Sequence, residues 1–171
     1  MKPASVRELK QELRERSSQE LLEICLRLSK FKKENKELLT YLLFDSSDES
    51  TFIANVKKHL DEEFDDINRS NVYFIKKRVR KVLRTLKKYA RYSSKKETEV
   101  ELLLYFCEKL YSFSPSIKND KVLRNLYERQ LLQIRKIIPL LHEDLQHDYS
   151  IELNELELTK VISLKKSIHK I

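Results

Sequence analysis

The 171-residue chain contains no glycine, where average usage would give about 12. Glycine supplies the positive φ that tight hairpins, phosphate-cradling loops and close backbone approaches to a ligand require, and asparagine replaces it imperfectly. The absence therefore excludes the phosphate loop, the dinucleotide fingerprint and the nucleophile elbow, each of which has obligatory glycines. It also argues against β and α/β architectures. Long apolar runs are missing as well: the longest, Leu102 to Cys107, is far short of a bilayer span. Met1-Lys2-Pro3 leads straight into charged residues without an apolar signal core, so a soluble, cytoplasmic protein with no membrane partner is expected. Only two cysteines occur, Cys25 and Cys107, each among leucines. They read as two buried, reduced thiols serving as small core residues.

The remaining absence is of one sign of charge. Residues 71–96 hold eleven lysines and arginines and no aspartate or glutamate, in a chain of net charge +8, which leaves −3 for everything else. Such clustering is an electrostatic footprint for an anionic companion.

What is present is helical periodicity. Ser5-Val6-Arg7-Glu8 and Ser17-Ser18-Gln19-Glu20 are capping-box patterns, and Ser94-Lys95-Lys96-Glu97 is a third. A short first helix turns Val6, Leu9 and Leu13 inward, and a second turns Leu21, Ile24, Cys25, Leu28 and Phe31 inward. A charged break at 32–36 leads to a third apolar segment, Leu38 to Phe44, and Asp45-Ser46-Ser47-Asp48 reads as a loop. Ile53, Val56, Leu60, Phe64 and Ile67 form one face of a helix ending in Asp61, Glu62, Glu63, Asp65 and Asp66. Acids at a helix C-terminus oppose the macrodipole and call for basic neighbours.

The basic helix, 71–92, places Val72, Ile75, Val79, Val82, Leu86 and Tyr89 in alternating steps of three and four, a seam that packs on another helix. The helix after it, Val100 to Phe113, is apolar nearly all round and belongs at the centre of the fold. Ser112 to Ser116 reads as a loop. Leu123 to Leu145 keeps a helical period through Pro139, which must kink or restart the helix. Ile151, Leu153, Leu156 and Leu158 hint at alternation, and Leu164, Ile168 and Ile171 restore helical spacing. The expectation is an all-α bundle, or short stack of helical hairpins, of seven or eight helices in one domain over 1–171.

On the outer side of the basic helix the seam leaves Lys77, Arg80, Lys81, Arg84, Lys87, Lys88 and Arg91, with Tyr73 and Phe74 projecting the same way. Cations there displace counterions from a phosphate backbone, giving salt-sensitive and sequence-blind affinity, and the two aromatics suit stacking on unpaired bases. The competing account is intramolecular: residues 45–66 carry eight acids against Lys57 and Lys58, and a hairpin would lay them beside the cationic helix in surface ion pairs.

No catalytic pattern stands out. His142 and His147 are five apart, not the four that put two zinc ligands on one helical face, and Asp144-Leu145-Gln146-His147 has no second copy of the kind di-iron bundles use. No metal, no cofactor and no enzyme are expected. The segments Val6 to Leu13, Ser18-Gln19-Glu20-Leu21-Leu22 and Lys33-Glu34-Asn35-Lys36-Glu37-Leu38-Leu39 resemble an uncharacterised family of small all-helical bacterial proteins. The resemblance extends to about Phe113, implies a bacterial cytoplasmic helical domain, and brings no activity with it. The leading expectation is a non-enzymatic interaction protein whose contact surface is helix 71–96. Its partner is either a protein or a nucleic acid held by the face from Lys76 to Lys96.

Overall fold

The computed structural model describes residues 2–114 and 120–168, with side chains as far as residue 157. Part of the expected loop at 112–116 therefore lies outside the described residues, as do the side chains of Leu158, Leu164 and Ile168 and the whole of Ile171. The fold is all-α. Eight α-helices and no strand occur among the described residues, and none of these helices is long and apolar enough to cross a membrane. The chain separates into two compact units, Met1–Ser46 and Ser47–Ile171.

The first unit holds α1 (Val6–Arg14), α2 (Ser18–Phe31) and α3 (Lys33–Thr40), closed by one wide π-type turn, Tyr41–Asp45. Both expected capping boxes are present: the Ser5 and Ser17 hydroxyls accept from the Glu8 and Glu20 amides, while each glutamate accepts from the capping residue's own N–H at 2.7 and 2.8 Å. Lys32 is extended and breaks α2 from α3, and Asn35 Nδ2 ties the break by donating to the Leu28 carbonyl at 3.0 Å.

The expected inward faces of α1 and α2 are not buried. Val6 is 83% exposed and Phe31 85%; Leu9, Leu13, Ile24, Cys25 and Leu28 are also exposed, and Leu21 is only half-buried. Periodicity specifies that a helix has an apolar face but not that anything covers it, and helices this short cannot enclose side chains by themselves. Cys25 is consequently an accessible thiol, which corrects the expectation of a buried one. Cys107 is buried, and burial pushes its thiol up to about 12. A maleimide is expected to modify one thiol per chain within minutes in native buffer and the second only in denaturant; mass spectrometry of the Cys25→Ser variant identifies which.

The second unit is built round α6 (Lys96–Ser112). Val100, Leu102, Leu103, Phe106, Cys107 and Leu110 on it are fully enclosed. This is the all-round burial expected of a helix apolar on every side. Against it pack α4 (Glu49–Asp65), α5 (Val72–Ser93), α7 (Lys121–Ile137) and α8 (Glu143–Ile168). Pro139 lies in a 3-10 turn, Ile138–Leu140, so the helix stops and restarts at α8. The alternation at 151–158 is overridden: α8 is continuous, with Leu153 buried.

Ser94 departs from the expected pattern. It does not cap α6, whose preceding residue Lys95 makes no side-chain cap bond. Instead it ends α5 in the left-handed region (φ 58°, ψ 6°), its N–H donating to the Ala90 carbonyl at 3.0 Å. It is the only positive-φ residue among those described. The left-handed conformation costs an L-residue about 1–2 kcal/mol and is the usual place for glycine at a helix end. Ser94→Gly is thus expected to raise the thermal midpoint by a few degrees, and Ser94→Val to lower it, both read by calorimetry.

Candidate nucleic-acid interface

Asn71 starts α5, its side-chain oxygen accepting from the Tyr73 amide at 2.8 Å. The buried stripe runs Ile75, Val79, Val82, Leu86, Ala90 and Ser93. Val72, expected inside, is 48% exposed, and Tyr89 is only half-buried. A strict three-four alternation has a period of 3.5, and a straight helix of 3.6 drifts about 20° per heptad. Over the length of α5 the contact line therefore walks off the idealised seam at both ends.

Acids at the C-terminal end of α4 and its capping residue Asp66 reach α5 along one flank. Glu63 pairs with Lys81 at 3.3 Å and Asp66 with Arg78. Asp61 turns to α6 instead, accepting from Tyr105 Oη at 2.6 Å and from Lys109 Nζ at 2.7 Å, and Glu62 sits near His59. Lys88, on the same flank, is half-buried, its ammonium 4.9 Å from the centroid of Tyr89. Lys88 is thus partly withdrawn from the open face on which the heptad count places it, while Lys81 stays exposed there with Glu63 as its ion-pair partner.

The opposite flank faces α7. Both helices pack on α6, and side chains link them: Lys76 pairs with Asp120 at 3.0 Å, and Lys87 Nζ donates to Gln133 Oε1 at 2.7 Å, while Gln133 Nε2 donates to Glu99 at 2.6 Å. Burial in this network holds the Lys87 ammonium below the ordinary lysine range, with Glu99 opposing. Between the links a furrow opens as adjoining cavities of about 780, 520 and 690 Å³. Leu83 and Val122 form its apolar floor.

Its α5 lip is a single cationic row: Lys77, Arg80, Arg84, Lys87 and Arg91, at steps of three and four, with Tyr73 one step before Lys77. Lys77, Arg80, Arg84 and Arg91 are exposed and make no ion pair among the described residues. From Lys77 to Arg91 the row is about 21 Å long at 1.5 Å per residue. Such neighbours repel at about 0.2–0.5 kcal/mol each, a cost that an anion along the row would relieve. Tyr73 is 65% exposed and meets Phe74 edge-on at 5.6 Å between centroids. Phe74, 48% exposed, sits round the helix toward the α4 flank and does not line the furrow.

No family model, curated protein or solved structure matches the chain.

The sequence reading missed the α7 wall: Val122, Asn125, Arg129 and Gln133. Their spacing of three and four marks a second face, and a valine lying off the apolar stripe of Leu123, Tyr127, Leu131 and Ile134 was the available signal. Elsewhere in the unit the charge is reversed. A cavity of about 590 Å³ between α6 and α8 is lined by Glu101, Glu108, Asp148, Glu152 and Glu155, with Lys57 as its cation. Burial, reinforced by Glu101, pushes the Glu152 carboxyl up. At the start of α8, His142 lies 3.3 Å from Asp144, and no group of three or more metal-ligating side chains forms among the described residues.

Proposed function

We propose that the second unit is a non-enzymatic nucleic-acid-binding module that grips the phosphate backbone through the α5–α7 furrow without reading sequence. One observation carries this. The carboxylates of α4 neutralise Arg78 and Lys81 on one flank but leave Lys77, Arg80, Arg84 and Arg91 bare along the furrow. These four stand in one file, and the one carboxylate that shares their furrow, Glu99, is engaged by Gln133 and Lys96 and not by them. A row about 21 Å long suits a polymer of repeating charge better than a small anion. Guanidinium groups, three of the four free cations, present planar donors that match phosphate oxygens in pairs.

A second reading, contact with a protein, rests on a different observation: the exposed apolar residues of α1 and α2 in the first unit. The two readings concern separate units and separate chemistry.

A labelled mixed-sequence oligonucleotide, titrated at about 50 mM salt, decides the first. Affinity in or below the micromolar range, indifferent to base composition and abolished by added salt, is expected of backbone binding. No binding at that ionic strength removes the reading.

A further inference from the structure

From the shape of the same furrow we infer that it takes single strands in preference to duplex, with Tyr73 as the platform on which a base stacks. This rests on the proposed backbone binding and adds the form of the nucleic acid. The furrow has two chemistries side by side. Its lip is cationic, while its floor, Leu83 and Val122, is apolar and partly open, Val122 being exposed. A duplex presents its sugar-phosphate backbone to such a furrow and keeps its base faces stacked inward, so that floor would stay wet beneath it. A single strand satisfies both surfaces, with phosphates on Arg80 and Arg84 and base faces toward the floor.

Tyr73 completes the arrangement. It lies one helical turn before Lys77, in the same cavity as Lys77, Arg80 and Leu83. Its ring meets Phe74 edge-on and remains mostly exposed, with no other ring of the described residues packed on it. Aromatic rings beside a cationic track are how proteins hold unpaired bases irrespective of sequence, since every base has a π-face. At a stacked spacing of about 3.4 Å per nucleotide the row accommodates roughly six nucleotides.

The chain has no tryptophan, so Tyr73→Trp installs a single indole reporter at the platform. With this variant, oligo-dT is expected to quench the indole emission, and a duplex of equal length is not. In parallel, Tyr73→Ala is expected to weaken oligo-dT binding roughly 5- to 50-fold while leaving duplex affinity and the helical circular-dichroism signal unchanged. Equal affinity for the two forms, with neither altered by Tyr73→Ala and no quenching, overturns the single-strand inference and leaves backbone binding standing. Failure of both oligo-dT and duplex to bind the unmodified protein overturns the proposed function and this inference with it.

Discussion

Reversing Arg80 and Arg84 to glutamate is expected to lower oligonucleotide affinity on the order of 100-fold, whereas neutralising Arg78 and Lys81 to glutamine is expected to change it by less than about 3-fold. All four residues lie on one helix within seven positions, so net charge alone, lowered by four units in the first variant and by two in the second, would give the second about half the first's effect in log affinity, roughly 10-fold. What separates them is pairing. Arg78 and Lys81 already spend their charge on Asp66 and Glu63, while Arg80 and Arg84 face the furrow free. Reversal removes two phosphate contacts and places two anions where phosphate must sit. It also relieves repulsion from Lys77 and Lys87, so thermal stability is expected to hold or rise slightly, and fluorescence anisotropy beside a melting curve distinguishes lost binding from lost folding.

The second large effect concerns the core that positions the furrow. Phe106 is fully enclosed on α6, its ring centroid 5.8 Å from that of Phe64 of α4 with the two rings tilted at 42°. Phe106→Ala is expected to cost about 3–5 kcal/mol, the transfer free energy of the ring plus the cavity it leaves. The contrasting substitution is Leu28→Ala in α2. On sequence the two positions look alike, each an apolar residue at a helical repeat, but Leu28 is half-exposed in the first unit and its loss is expected to cost within about 0.5 kcal/mol. Urea titrations of both variants measure the difference. Equal costs would mean that α2 has a covered face after all.

Why the sequence revealed some of this and not the rest is a matter of range. Helix type, caps and the buried stripe of α5 depend on neighbours three and four residues away, and Ser5, Ser17, Ile75, Val79, Val82 and Leu86 behave accordingly. Burial of α1 and α2 depends on what lies across from them, which periodicity does not encode, and so Cys25 and Phe31 were misplaced. Ser94 obeyed the capping pattern in letters only; ending α5 in a chain without glycine took precedence. The cationic row was legible as a face, but Lys81 and Lys88 could be separated from Arg80 and Arg84 only once α4 and α7 were in place. The α7 wall was overlooked because its polar positions look like any solvated surface until α5 stands beside them.

The bare cationic row is the centre of the account, and the salt dependence of oligonucleotide affinity tests it most directly. Four free cations, each displacing about 0.7–0.9 counterion, give a slope of log affinity against log salt near −3, falling to about half that when Arg80 and Arg84 are changed to glutamine. A slope near zero, or one that is unaltered by those two substitutions, contradicts it.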